Sequence, residues 1–178
     1  LVVSGEKQRF SALHGEEAMG DRERVQTYLA LDERNPVSIL STIAAARENA
    51  RSIREAISLE VWETINELYL WSRSDAAQEE YETNRYGFYR RVRHSIELCR
   101  GFLQTTLLHD DPLAFIELGI MLERAGQTAR IVDVHHQVLR VDGSRLEVVV
   151  DTGIWLAILR SCSGWEPYMK RHRGRVTG

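Results

Sequence analysis

The segment FIELGIMLERAGQTARIVDVHH, residues 115–136, sets side chains able to do chemistry into an otherwise apolar helical pattern. Glu123, Gln127 and Arg130 recur at i, i+4 and i+7 on one stripe, which also carries Ile116 and Ile120 before them and Val134 after them. Arg124 and Thr128 form the adjacent stripe, bracketed by Met121 and Ile131. Polar groups bounded by buried positions are expected to face other helices, where a charge must be paired or hydrogen-bonded. Three readings follow: a buried ion-pair network that fixes helix register, a ligand or catalytic site in the centre of a bundle, or a solvated face. Gly119 and Gly126, seven apart, mark a side on which another helix can approach closely.

The segment RENARSIR, residues 47–54, offers the complementary charge. Arg47, Arg51 and Arg54 continue the stripe of Leu40 and Ala44 at the border of a buried face, with Glu48, Ser52 and Glu55 expected to point away. Three guanidiniums need carboxylate partners, and Glu123 is the candidate. Paired, they are structural; unpaired around a cavity, Arg47, Arg51, Glu123, Arg124, Gln127 and Arg130 would bind an anionic ligand or act on one. Asp133-x-x-His136, with His135 adjacent, has the spacing used by di-iron bundles, but no second carboxylate-x-x-His copy accompanies it, so no metal is expected. Arg90, Arg91, Arg93 and His94 form a basic run, partly offset by Glu97 four residues after Arg93, that fits a solvated face or a docking patch better than a phosphate or RNA site. Phosphate loops, nucleophile elbows and Cys-His arrangements at recognisable spacing do not occur, so no cofactor is expected and enzyme status stays open.

Helices must position these residues. Pro36, Pro112 and Pro167 each stand just before a periodic apolar run, where proline is tolerated as the first helical residue. Asn35 is the expected cap of a helix to about Ile57, with Ile39, Ile43, Ala46, Ala50, Ile53 and Ile57 as its buried stripe. Ser58 caps a second helix that ends near Ser74, and the run from Ser74 to Glu80 reads as a polar connection. A third, from about Tyr86 to about Leu108, buries Phe88, Val92, Ile96, Cys99, Leu103 and Leu107. Asp110 or Asp111 caps a fourth, Pro112 to about Arg140, expected to be the longest, the most buried and the central one. Val141 to Ser144 is a turn and Leu146 to Val150 a loop. Short helices at Asp21–Leu31, Thr152–Cys162 and Trp165 to about Arg173 complete an all-α, antiparallel bundle of six to seven helices.

The chain has 178 residues, enough for one domain, with 43% hydrophobic and 28% charged residues, which fits a packed globular unit. Its net charge of -3 gives no global attraction to nucleic acid or anionic lipid, and its longest apolar stretches are too short to span a bilayer, so neither partner is expected. Arginine supplies all basic residues except Lys7 and Lys170. Two separated cysteines, Cys99 and Cys162, suggest neither a disulfide framework nor a zinc site, and so a reducing, cytoplasmic setting. The start at Leu1, without initiator methionine or signal peptide, suggests a piece of something longer.

The motif LERAGQTAR with its Glu123-Arg124 pair, NPVSILSTIAAARENARSIRE before it and FYRRVRHSIELCRG between them together resemble the bacterial alpha-E family. The likeness covers nearly the whole chain, although the family commonly has an aromatic residue near Leu113 and an Asp where Gly126 stands. It implies an all-helical domain whose genes accompany an ATP-grasp-type ligase and a transglutaminase-like protein, and hence an accessory module in forming or modifying peptide amide bonds. The family also carries a further Glu-Arg helix upstream of the region present here. Ser4-Gly5, Phe10, His14-Gly15 and Arg24-Val25 echo Ser163-Gly164, Tyr168, His172-Arg173-Gly174 and Arg175-Val176, which suggests internal duplication. A fragment of such a repeat is expected to self-associate through an uncovered apolar face.

Overall fold

The computed structural model describes residues 1–141 and 148–172. It is all-α, with helices α1 (Lys7–His14), α2 (Arg22–Ala30), α3 (Ile39–Ser52), α4 (Leu59–Ser72), α5 (Asp75–Thr83), α6 (Arg85–Thr106), α7 (Asp111–Val141), α8 (Val148–Ser161) and α9 (Trp165–Arg171). Short 3-10 turns occupy Glu17–Gly20 and Arg54–Ala56, and no strand occurs among the described residues. The chain divides into two compact units. One holds Leu1 and residues 5–119; the other holds residues 2–4 and the chain from Ile120 onward.

In the first unit polar side chains fix where each helix starts. Asp21 caps α2 by accepting from the N–H groups of Glu23 and Arg24, and Ser58 caps α4 by accepting from Val61 N–H. Asn35 does not cap α3. It is fully buried, donates to the Tyr28 carbonyl at 3.0 Å and accepts from Val37 N–H at 3.0 Å, so its side chain shapes the turn and Ser38 becomes the cap. α3 then stops at Ser52 rather than near Ile57, and Ile53 is 43% exposed. The stretch after Ser74 is not a connection but α5, capped by Ser74. Polar composition concealed a helix whose Ala77 and Tyr81, four apart, enter the core beside Phe88.

That core joins Ala30, Ile43, Leu68, Ala77, Tyr81, Phe88 and Val92, with Trp71 and Tyr89 packed against it. Edge-on and tilted ring contacts at 5.2–5.6 Å surround Phe88, and such pairs add about 0.5–1.5 kcal/mol each beyond burial. A second cluster joins Ala50, Ile57, Val61, Leu103 and Leu113. A third, Phe10 with Ala18 and Tyr28, is built on α1, a helix with no counterpart in the sequence expectations. α6 matches its expected bounds within two residues, but Ile96 is 47% exposed instead of buried.

α7 is the longest helix, 31 residues or about 46 Å, but it is not the most buried. Leu113 is 3% exposed, whereas Phe115, Leu118 and Leu122 are 70%, 51% and 65% exposed. The apolar run was expected to be surrounded because it is apolar on every side. Apolar composition creates a demand for neighbours without supplying them.

In the second unit α8 starts at Val148, so Val148–Val150 are helical rather than loop, while residues 142–147 lie outside the described ones. α8 closes with Ser163 in the left-handed region, φ 54°, while Gly164 N–H bonds the Leu159 carbonyl at 2.7 Å. The residues of the suspected repeat include two i, i+4 ring pairs, which any helix brings together. Phe10 and His14 on α1 have ring centroids 4.8 Å apart, and Tyr168 and His172 at α9 have theirs 4.4 Å apart. The echo beyond His172 lies outside the described residues.

Candidate functional site

Two groups of charged side chains were expected to meet, and each can be placed on its own. On α3, Arg47 Nε donates to Asn66 Oδ1 of α4 at 2.8 Å, and its guanidinium lies 4.6 Å from the Tyr69 ring centroid and 5.7 Å from that of Trp62. Its carboxylate partner is Glu48, at 3.0 Å, and the same carboxylate takes Arg51 at 2.8 Å. Glu48, expected to point away, therefore does the neutralising. The Arg51 hydrogen bond holds its carboxyl below the usual carboxylate range. Arg54 donates to the Ile57 carbonyl at 3.2 Å and flanks Trp62. Two long cations reach a carboxylate on their own helix more cheaply than one elsewhere, because sequence spacing has already fixed the distance.

On α7, Gln127 Nε2 donates to Glu123 Oε1 at 2.7 Å, so these two candidates are brought together. Glu123, Arg124 and Arg130 are exposed and Gln127 is half-buried. Arg124 and Arg130 have no carboxylate in ion-pair reach among the described residues. Arg47 and Arg51 belong to the first unit; Glu123, Arg124, Gln127 and Arg130 belong to the second. Gly126 is exposed and a Cβ there would meet nothing within 4 Å, so nothing around it demands glycine. The Asp133-x-x-His136 pattern rests on a His136 side chain outside the described residues.

The structure also assembles a polar cluster that no spacing announced. Tyr28 Oη donates to Glu6 Oε2 at 2.8 Å, and Glu6 is only 8% exposed. Burial first, then the Glu6 hydrogen bond and charge, push the Tyr28 phenol up to about 12. Nearby, Asp32 takes a bidentate contact from Arg34, which holds its carboxyl low, and lies 3.8 Å from His14 Nε2. These partners are 18 and 22 residues apart or sit on turns, where helical periodicity carries no signal. The basic run does form a hollow: Arg90, Arg91, Arg93 and His94 line about 560 Å³ together with Glu80, Gly87 and Glu97. Arg91 stacks over Trp71 at 4.5 Å, so part of this run packs on the core instead of facing a ligand.

A family profile described as a predicted alpha-helical domain with a conserved ER motif matches residues 1–178, the entire chain. The chain belongs to the alpha-E family. No characterised protein and no solved structure matches it. This alpha-E chain contains three Glu-Arg pairs, and the structure separates them by what they hold. In the first, Glu23 takes Arg85 at 2.8 Å and Arg24 takes Asp21 at 3.1 Å. In the second, Glu33 takes Arg73 at 2.9 Å and Arg34 takes Asp32 at 2.6 Å. In the third, Glu123 is bonded to Gln127 and Arg124 stands exposed without an acidic partner among the described residues. Of the alpha-E chain's Glu-Arg pairs, this is the one whose arginine has no carboxylate in ion-pair reach among the described residues. Among the described residues no helix is long and apolar enough to cross a membrane.

Proposed function

We propose that this alpha-E chain is a helical accessory module that acts with an ATP-grasp-type ligase, and with a transglutaminase-like protein, in forming or modifying peptide amide bonds. The observation that carries this reading is the exposure of Arg124 and Arg130 without acidic partners among the described residues. Arg24, Arg34, Arg47, Arg51, Arg73 and Arg85 of the first unit each hold a carboxylate, whereas Arg22, Arg90 and Arg93, exposed in the same unit, share the open condition of Arg124 and Arg130 among the described residues. Guanidiniums left open on a rigid helix suit bidentate contact with acidic groups of a partner protein. The ligase is named by the family resemblance, and a cytoplasmic setting is proposed with it from the spacing of two separated cysteines in the sequence. An anionic small-molecule site at Arg47 and Arg51 is less favoured, because a ligand there would have to displace Glu48.

The test is reconstitution. The full-length alpha-E protein is expected to co-purify with the ATP-grasp ligase and to change its turnover. Arg124→Glu/Arg130→Glu should lose that effect while keeping its helicity. Ligase turnover that is the same with and without the alpha-E protein would sink the reading.

A further inference from the structure

α3, α4 and α6 of the first unit do not close completely on one another. Between them lies a hollow of about 250 Å³, walled by Ile43 and Ala46 of α3, Ile65 and Leu68 of α4, and Ile96 and Cys99 of α6. No polar atom is open on its wall. Thr64 also lines it, but donates its hydroxyl to the Glu60 carbonyl of its own helix at 2.7 Å. Ile96 borders the opening, which leaves this residue of the α6 stripe exposed. An apolar cavity of about 150 Å³ holds a benzene ring, so the hollow has room for a chain or ring of about eight carbons. A whole helix, about 10–12 Å across, is too wide for it.

The charged residue of this hollow is Arg100, half-buried and one helical turn after Ile96. Its stem lines the apolar wall, which sets the guanidinium at the rim. The other half-buried arginines of the first unit each have an acceptor: Arg47 holds Glu48, Arg85 holds Glu23, and Arg54 donates to the Ile57 carbonyl. Arg100 has neither a hydrogen bond nor a carboxylate in ion-pair reach among the described residues. Burial pushes the Cys99 thiol beside it up, so that thiol stays neutral and offers no thiolate. A cation partly withdrawn from water still needs an acceptor, and here a ligand can supply it. Apolar walls with a single orienting charge are also the usual make-up of a small-molecule site. An ammonium head would be repelled at this rim, and a neutral head would leave the charge unmatched.

We infer that the hollow between α3, α4 and α6 binds a small apolar carboxylic acid, with its chain or ring among Ile43, Leu68 and Ile96 and its carboxylate on Arg100. The site lies wholly within the first unit and uses neither Arg124 nor Arg130, so it stands or falls apart from the ligase reading.

Alkylation of Cys99 by N-ethylmaleimide reports occupancy, because its thiol lies on the wall, and Cys162 in the second unit is the control within the same sample. Octanoate is expected to slow labelling of Cys99 while labelling of Cys162 and the circular dichroism stay unchanged. Octanol, with the same chain and no charge, should need about tenfold more for equal protection, the size of one charge-assisted hydrogen bond, and octylammonium more still. In Arg100→Met, which keeps an apolar stem, octanoate should lose that advantage while octanol protects as before. Absence of protection by octanoate, equal protection by all three probes, or an octanoate advantage that survives in Arg100→Met overturns the inference. The three-probe comparison on the parent chain needs no variant and decides the matter if Arg100→Met does not fold.

Discussion

α6 and α7 are both long helices, 22 and 31 residues, yet they end in opposite conditions. α6 gathers Phe88, Val92, Cys99 and Leu103 on the side facing the first unit's interior and leaves Arg90, Arg93, His94 and Glu97 to water. Its main stripe is covered within its own chain, although Ile96 and Leu98 stay 47% and 44% exposed. α7 repeats the inner stripe but replaces the charged outer face with Phe115, Leu118 and Leu122. The difference teaches that one buried stripe is enough for a helix to belong to a fold, and that apolar residues on its other sides do not by themselves supply neighbours to cover them.

The sharpest way to break that comparison is to cut equivalent side chains from each helix. Phe88 is fully buried among Trp71, Tyr81 and Tyr89, so Phe88→Ala should cost about 3–5 kcal/mol. Leu122→Ala, measured by urea unfolding at concentrations too low for association, should cost less than about 1 kcal/mol. Equal costs would mean that α7 is a core helix after all.

A smaller effect is expected at the Tyr28–Glu6 bond of the first unit. Tyr28→Phe strips a buried carboxylate of its donor, at a cost of about 1–3 kcal/mol. It also carries a pH signature. The folded phenol titrates near 12, whereas an unfolded tyrosine releases its proton at about 10. The folded chain thus binds the proton more tightly, so this contribution is complete below about pH 10 and is lost as pH rises through about 12. Stability of the parent should fall over that window and that of Tyr28→Phe should fall less; parallel curves would show that the phenol is not held there.

Arg47→Ala comes next. Losing the Asn66 bond and the stacking on Tyr69 should cost about 1–2 kcal/mol, read as a shift of the thermal midpoint. Smallest of all is Glu123→Gln. A buried charge opposite Arg130 would make it a severe change, but Glu123 is exposed and bonded to Gln127. The expected change is within about 0.5 kcal/mol, and a melting temperature far below the parent would return Glu123 to a buried ion pair.

Legibility followed range. α2, α4, α6 and α7 were readable to within two residues because their caps and periodic stripes lie within a few residues of one another. α5 was missed because two buried positions, Ala77 and Tyr81, are too few to outweigh polar neighbours. α1 was missed for the same reason, Phe10 being its one buried residue. At the candidate site, the Glu123–Gln127 contact was legible as i, i+4. Glu48 was read as pointing outward because a stripe drawn from Cβ directions ignores how far an arginine side chain can fold back along its helix.

The sequence by itself determined the all-α class, the family and the double-sided apolar pattern of α7, since each depends on local spacing or on whole-chain likeness. Tertiary structure decided which stripe is covered, which of three Glu-Arg pairs keeps an arginine open, and that Asn35 and Glu6 are buried on the partner Tyr28. The physical reason is common to all three: burial and pairing are properties of what lies a few ångströms away in space, and a helical repeat fixes that neighbourhood only along its own axis.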